Sequence, residues 1–185
     1  SPYSFGDLKL NVNYMVSPNR NDEHSNGVST QDIVKIQKHI LGQSPLNSPY
    51  KLIAADVNNS GSVTAADMSE LRKLILGLTN EFSKVKSWTF VPSGYDFPDK
   101  NNPWNAPRTS SLMLDNNKVV DFVAVKMGDV TNDATASNAS RTQSRTNGVL
   151  NIEVDEKSVV AGESYKVSFK SSDFNNISGY QFTLK

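Results

Sequence analysis

The residues Asp56-Val57-Asn58-Asn59-Ser60-Gly61-Ser62-Val63-Thr64-Ala65-Ala66-Asp67 place oxygen-bearing side chains at the first, third and fifth positions of a twelve-residue stretch and a carboxylate at its end. A hard cation of the calcium kind prefers about six to eight oxygen ligands. A tight loop offers alternate side chains inward only if a glycine relieves the turn at position six, where Gly61 stands. Asp56, Asn58 and Ser60 supply side-chain oxygens, Ser62 its backbone carbonyl, and Asp67 the closing carboxylate, while Thr64 at position nine would act through a water. The bland reading of the same residues is an Asx-turn loop that caps a following helix, with Asp67 a first-turn carboxylate.

Duplication favours the ion. The stretch 62–77 repeats 27–42 at an offset of 35 residues: Val28 matches Val63, Asp32 matches Asp67, Lys38 matches Lys73, and Ile40-Leu41-Gly42 matches Ile75-Leu76-Gly77. In register, the first copy offers Asn21, Glu23, Ser25, the carbonyl of Gly27, and Asp32, with Asn26 at the glycine position. A second register starts at Asp22 and uses His24 and Asn26, but its loop is one residue short. The first keeps Asp32 equivalent to Asp67 and is preferred; a copy that has lost its ion is the competing reading. Imidazole is a poor calcium ligand, so His24 reads as a solvated loop residue.

The elements that must hold these loops follow from periodicity. Ile33, Ile36 and Ile40 share one helical face, as do Met68, Leu71, Leu74 and Ile75, and each run stops at a glycine. Ser48-Pro49 starts a short helix over Tyr50 to Ala55. Alternation predicts a half-buried strand over 7–16, a strand around Trp88 and Phe90, and a strand apolar on both faces within 119–127. A Pro/Asn-rich loop fills 92–117, and 131–147 is a polar linker. Alternating runs at Leu150–Val154, Tyr165–Phe169 and Tyr180–Leu184 open a further β-sandwich. The expected class is α+β: duplicated calcium loop–helix units over 19–82, a β extension over 83–130, and sandwich pieces at 1–18 and 148–185 of a longer modular protein.

Composition narrows the function. Nineteen Lys+Arg balance nineteen Asp+Glu, which argues against a nucleic-acid binder. Cysteine is absent, removing disulfides, thiolate metal sites and cysteine nucleophiles. No apolar run is long enough to span a membrane, and Ser1 opens no signal peptide, so any targeting segment is expected outside this chain. His24 and His39 lack partners for nucleophilic catalysis, and an enzyme is not expected.

The two loop–helix repeats, each with Asp at position twelve where an EF-hand usually has Glu, resemble a dockerin over 20–42 and 56–77. The phrasing NGVSTQD, KHILG, SPYKLIAAD and ELRKLILG is similar to dockerin-like modules of very large secreted bacterial proteins. The resemblance implies bound Ca2+, an extracellular or cell-surface setting, and a structural or adhesive role among β-sandwich neighbours. It also implies, as the alternative, docking onto a cohesin to recruit a polysaccharide-degrading enzyme. Positions ten and eleven, which help to set partner choice in dockerins, are Thr30 and Gln31, then Ala65 and Ala66. The flanks resemble a transthyretin- or carboxypeptidase-regulatory-like end (1–18) and the start of a cohesin-like sandwich (149–185).

Three further groups call for weighing. Gly128-Asp129-Val130-Thr131-Asn132-Asp133 begins like a third calcium loop, but no glycine-hydrophobic-acid continuation follows. A strand-ending turn is the preferred reading, with Asp129 a cap or an extra ligand. Trp88, Tyr95 and Trp104 suit a sugar-stacking platform, yet aromatics more often pack into a core. Lys35, Lys38, Arg72 and Lys73 read as a solvated helix face.

Overall fold

The computed structural model describes residues 4–135 and, beyond them, 153–154, 158, 160, 162, 164, 166 and 168–170. The chain divides into two compact units, Ser1–Ala136 and Ser137–Lys185. The first contains, in order, β1 (Val12–Val16), α1 (Thr30–Ile40), α2 (Pro49–Ala55), α3 (Ala65–Ile75), β2 (Trp88–Pro92), β3 (Ser110–Leu114) and β4 (Phe122–Lys126). In the second, β5 (Glu153–Val154) pairs antiparallel with β6 (Phe169–Lys170). The alternation at Tyr180–Leu184 and the linker beyond residue 135 lie outside the described residues. Helices and small antiparallel sheets together make the class α+β.

The two long helices are built alike. Ser29 and Thr64, both extended, stand at the N-caps, and each is followed three residues later by an aspartate that accepts its N–H. At the other end the N–H groups of Gly42 and Gln43 reach back to the carbonyls of His39 and Lys38. Gly77 and Leu78 do the same to Leu74 and Lys73. This paired closure satisfies carbonyls that the helix itself leaves open. α1 packs on α3 through Ile36 and Leu71, both fully buried. Burial of a side chain of that size contributes about 2 kcal/mol. The α2 helix begins one residue earlier than the sequence suggests, at Pro49, because proline is preorganised for a first turn.

The β extension shares the helices' core. β2 and β4 pair antiparallel, Trp88 opposite Lys126 and Pro92 opposite Phe122, and β4 packs on α2. Val91 and Val125 from these strands join Ile53, Val57, Leu71 and Phe82 in one cluster. Two features depart from expectation. The strand foreseen over 7–16 forms only over Val12–Val16, because Asp7 and Asn11 take left-handed backbone angles that break an extended run, leaving Leu8 and Leu10 exposed. The loop foreseen over 92–117 contains β3, which pairs with β1 from Val12 opposite Leu114 to Val16 opposite Ser110.

The end of β4 positions the site described next. Met127 N–H donates to the Ser87 carbonyl and Gly128 N–H to the Ala54 carbonyl, so the chain enters the core between β2 and α2. Gly128, at φ +88°, sits within 3.1 Å (for an added Cβ) of Leu71, Phe82 and Val28 side chains, leaving no room for any larger residue.

Candidate metal centre

The second loop is ordered by its own carboxylates. Asp56, at the C-terminal end of α2, accepts the Ser60 N–H on Oδ1 at 2.8 Å and the Gly61 N–H on Oδ2 at 2.9 Å. Asn58 Oδ1 also accepts from Ser60 N–H, at 3.0 Å. Asn59 and Gly61 take φ of +54° and +74°, turning the chain so that alternate side chains face one side. Across the loop, Asp67 accepts the Asn58 N–H on Oδ1 at 3.2 Å and the Thr64 N–H and hydroxyl on Oδ2 at 2.8 and 3.1 Å. Ser60 Oγ lies 3.1 Å from the Ser62 carbonyl and 3.5 Å from Asp56 Oδ1, which draws the fifth, seventh and first positions together.

Electrostatics favour a cation there. Asp56 is 5 % exposed and Asp67 fully buried. Burial raises the Asp67 carboxyl above the usual carboxylate range, and the Asp56 charge beside it raises it further. Two desolvated carboxylates facing each other are relieved by a proton or by a metal ion. The donor set is all oxygen, as calcium requires, and the residues of this loop fit the ion.

The first copy differs. Asn21 Oδ1 accepts the Ser87 N–H at 2.8 Å, tying Asn21 to the residue before β2. Glu23 Oε2 accepts from Arg20 Nη2 at 2.8 Å and from Asn26 Nδ2 at 3.2 Å, and the Ser25 carbonyl accepts the Val28 N–H. The left-handed residues are Glu23 (φ +48°) and Gly27 (φ +69°), the third and seventh positions rather than the fourth and sixth. Asp32 matches Asp67 on one side only: Oδ2 accepts the Ser29 N–H at 2.8 Å and hydroxyl at 3.0 Å. Its Oδ1 turns to a distant segment, accepting the Val130 N–H at 2.9 Å and the Thr131 N–H and hydroxyl at 3.0 Å. Asp32 is fully buried, and burial raises its carboxyl despite these bonds.

That segment is the Gly128–Asp133 turn. Asp129, 4 % exposed, accepts on Oδ1 from Thr131 hydroxyl and Asn132 N–H and on Oδ2 from Ala134 N–H. Sequence spacing alone left Asp129 outside the first loop, since nearly a hundred residues separate it from Asp32. The available signal was the match of Asp129-Val130-Thr131-Asn132 to Asp56-Val57-Asn58-Asn59. Beside it lies Lys126, 4 % exposed, whose ammonium donates to the carbonyls of His24 at 2.8 Å and Met127 at 3.2 Å. Burial lowers its pKa to about 8 against the pull of Asp129, Asp32 and Glu23.

Of the remaining candidates, Trp88 and Trp104 line one cavity together with Asp56 and Gly61. Tyr95 meets Phe97 edge-on at 4.9 Å and packs with the core, and Trp88 is buried under the Arg20 guanidinium, 5.0 Å from its ring. Trp104 lies half-buried near Gly61. No flat aromatic platform unites the three. Lys38, Arg72 and Lys73 are exposed, Lys73 beside Glu70, and Lys35 is half-buried. Gln31, Ala65 and Ala66 are exposed and Thr30 half-buried, at the first turns of α1 and α3.

Residues 19–76 match the model of the Dockerin type I domain family, which supports a type I dockerin module over that stretch. Such domains are calcium-binding docking modules with an EF-hand-like fold whose partners are cohesins. No curated protein and no solved structure matches the chain. No helix among the described residues is long and apolar enough to cross a membrane.

Proposed function

We propose that this chain carries a calcium-stabilised dockerin-like module acting as a structural or adhesive joint in a secreted or surface-attached multidomain bacterial protein. The observation that carries the reading is the second loop, whose buried first- and twelfth-position carboxylates, Asp56 and Asp67, both fold the loop onto its own backbone N–H groups. Asp56, Asn58, Ser60, the Ser62 carbonyl and Asp67 would hold the ion, with Thr64 acting through a water. Calcium supplies the positive charge that these desolvated carboxylates lack. In the first copy Gly27 and Asp32 remain suited to the role, whereas the side chains of Asn21 and Glu23 are engaged by Ser87 and Arg20. The segments 1–18 and 148–185 belong to this proposal as parts of neighbouring β-sandwich modules, with 83–130 an extension of the repeats and 131–147 a linker.

With only two carboxylates in the second loop, its affinity falls toward the extracellular range, about 10⁻⁴–10⁻³ M. An ion bound by the folded chain alone stabilises it by mass action, about 2.7 kcal/mol at a hundredfold excess over Kd. Thermal melts of the whole chain in millimolar calcium and in chelator test this: the chelated sample should melt several degrees lower. Identical melts would remove the calcium reading.

The second reading is cohesin docking, as a recruitment module for a polysaccharide-degrading enzyme. The exposed Gln31, Ala65 and Ala66, and the exposed helix-end Leu41 and Leu76 in equivalent positions, favour a partner surface. Pull-down with cohesin-like segments separates the readings, since a joint that works only within its own chain captures none of them.

A further inference from the structure

We propose that the first calcium site is a split loop, in which residues 129–134 supply positions one to six and residues 27–32 supply positions seven to twelve. This rests on the calcium reading above and extends it to ligands drawn from opposite ends of the module.

The correspondence with the second loop holds at positions one to five and at position twelve. Asp56 accepts the N–H groups four and five residues on, from Ser60 and Gly61. Asp129 accepts those of Asp133 at 3.4 Å and Ala134 at 2.9 Å on the same two oxygens. Asn132 takes φ +62° where Asn59 takes +54°. The position-three N–H reaches the position-twelve Oδ1 in both, Thr131 to Asp32 at 3.0 Å and Asn58 to Asp67 at 3.2 Å. Val130 and Val57, at position two, are both buried in the common core. Asp129 and Asp56, at position one, are exposed to 4 % and 5 %.

The break in the chain is closed in space. Positions six and seven are bonded neighbours, Gly61 and Ser62, in the second loop. In the first they are Ala134 and Gly27, and a Cβ added to Gly27 would stand 2.6 Å from Ala134 N and Cβ. One residue further out, Asn26 Nδ2 donates to the Thr135 carbonyl at 2.8 Å and Thr135 N–H donates to Asn26 Oδ1 at 3.3 Å. The backbone of 21–26 has no such likeness to 56–61, as its left-handed angles fall at other positions.

The split loop offers Asp129, Thr131, Asp133, the Gly27 carbonyl and Asp32, with Ser29 at the water-mediated ninth position. Its three carboxylates against two give it the tighter binding of the pair. The Lys126 ammonium opposes the ion but bonds to carbonyl oxygens, which leaves the carboxylates for the metal.

Calorimetric titration of the whole chain with calcium chloride tests the assignment, folding of each variant being checked by its melt. The expected result is two ions for the unaltered chain and one for Asp129→Asn. Asp133→Asn, whose exposed side chain is not needed to shape the loop, should weaken one site about tenfold. Asn21→Ala and Glu23→Gln should retain both ions. Loss of an ion in Glu23→Gln with both kept in Asp129→Asn would return the site to 21–32 and overturn the split loop. A single ion abolished by Asp56→Asn and indifferent to Asp129→Asn and Asp133→Asn would overturn it too, while leaving the calcium reading intact. No calcium bound to the unaltered chain would instead reject the calcium reading itself.

Discussion

The two halves of the duplicated helical unit solve one problem with different chain connectivity. Around Asp67 every bonded partner lies within nine residues, from Asn58 to Thr64, so the second loop is a local structure. Around the Asp32 carboxylate three of the five hydrogen bonds come from 98 and 99 residues away, from Val130 and Thr131. The contrast teaches that two equivalent N-terminal carboxylates can be satisfied either by the adjoining loop or by a segment far along the chain. It also means that α1 is anchored to the turn that follows β4, whereas the first turn of α3 is satisfied by its own neighbourhood.

The largest expected separation between the halves comes from the two capping carboxylates. Asp32→Ala strands the buried N–H groups of Val130 and Thr131 as well as those at the N-cap, a loss of about 3–4 kcal/mol. Asp67→Ala removes fewer long-range bonds and should cost about 2 kcal/mol. Urea titration in chelator measures both, and hydrogen exchange at Val130 should accelerate only in the first variant. Equal losses with unchanged exchange would erase the asymmetry.

A similar difference on smaller total losses is expected between Gly61 at position six of the second loop and Gly27 at position seven of the first. Gly61→Ala strains a φ of +74° but meets nothing nearer than the Trp104 ring at 3.9 Å, a cost of about 1 kcal/mol. Gly27→Ala adds to the same strain a contact with Ala134 backbone at 2.6 Å, and should lose about 2–3 kcal/mol. Thermal melts of the two variants decide the matter, and an equal drop in Tm would show that Ala134 can move aside freely.

The smallest effect concerns pH and should be shared by both halves. Burial raises the carboxyls of Asp32 and Asp67. Without calcium the folded chain therefore holds more protons than the unfolded one between the ordinary carboxylate value and the raised one. Apo stability falls as pH rises through that window. Calcium needs both groups ionised, so the rise in Tm that it causes should be full at neutral pH and shrink as acid enters the same window. A calcium-induced rise independent of pH down to about 4 would mean that neither carboxylate binds the ion.

Much of this was legible in residues. The 35-residue offset between Val28 and Val63 indicated the paired helices, and Gly42 and Gly77 indicated where they stop. The hydrogen-bonded second loop was legible because its residues are contiguous. β3 was not, since Ser110–Leu114 is a short run whose partner, β1, lies far upstream, and register between distant strands has no local signature. The residues name Asp129 as a cap or an extra ligand, but its closeness to Asp32 has no local signature, since nearly a hundred residues separate the two. Nothing in the sequence around Lys126 signals its burial under the His24 carbonyl.

The paired bonds between Asn26 and Thr135 bring the chain's entry to the helical unit beside its exit. Tension applied at those two points would bypass the intervening hundred residues and fall on the clasp itself, so α1, α2 and α3 would stay slack until it parts. If an ion is held from both sides of that seam, as proposed, the surrounding calcium concentration would set the pulling force at which the unit begins to lengthen.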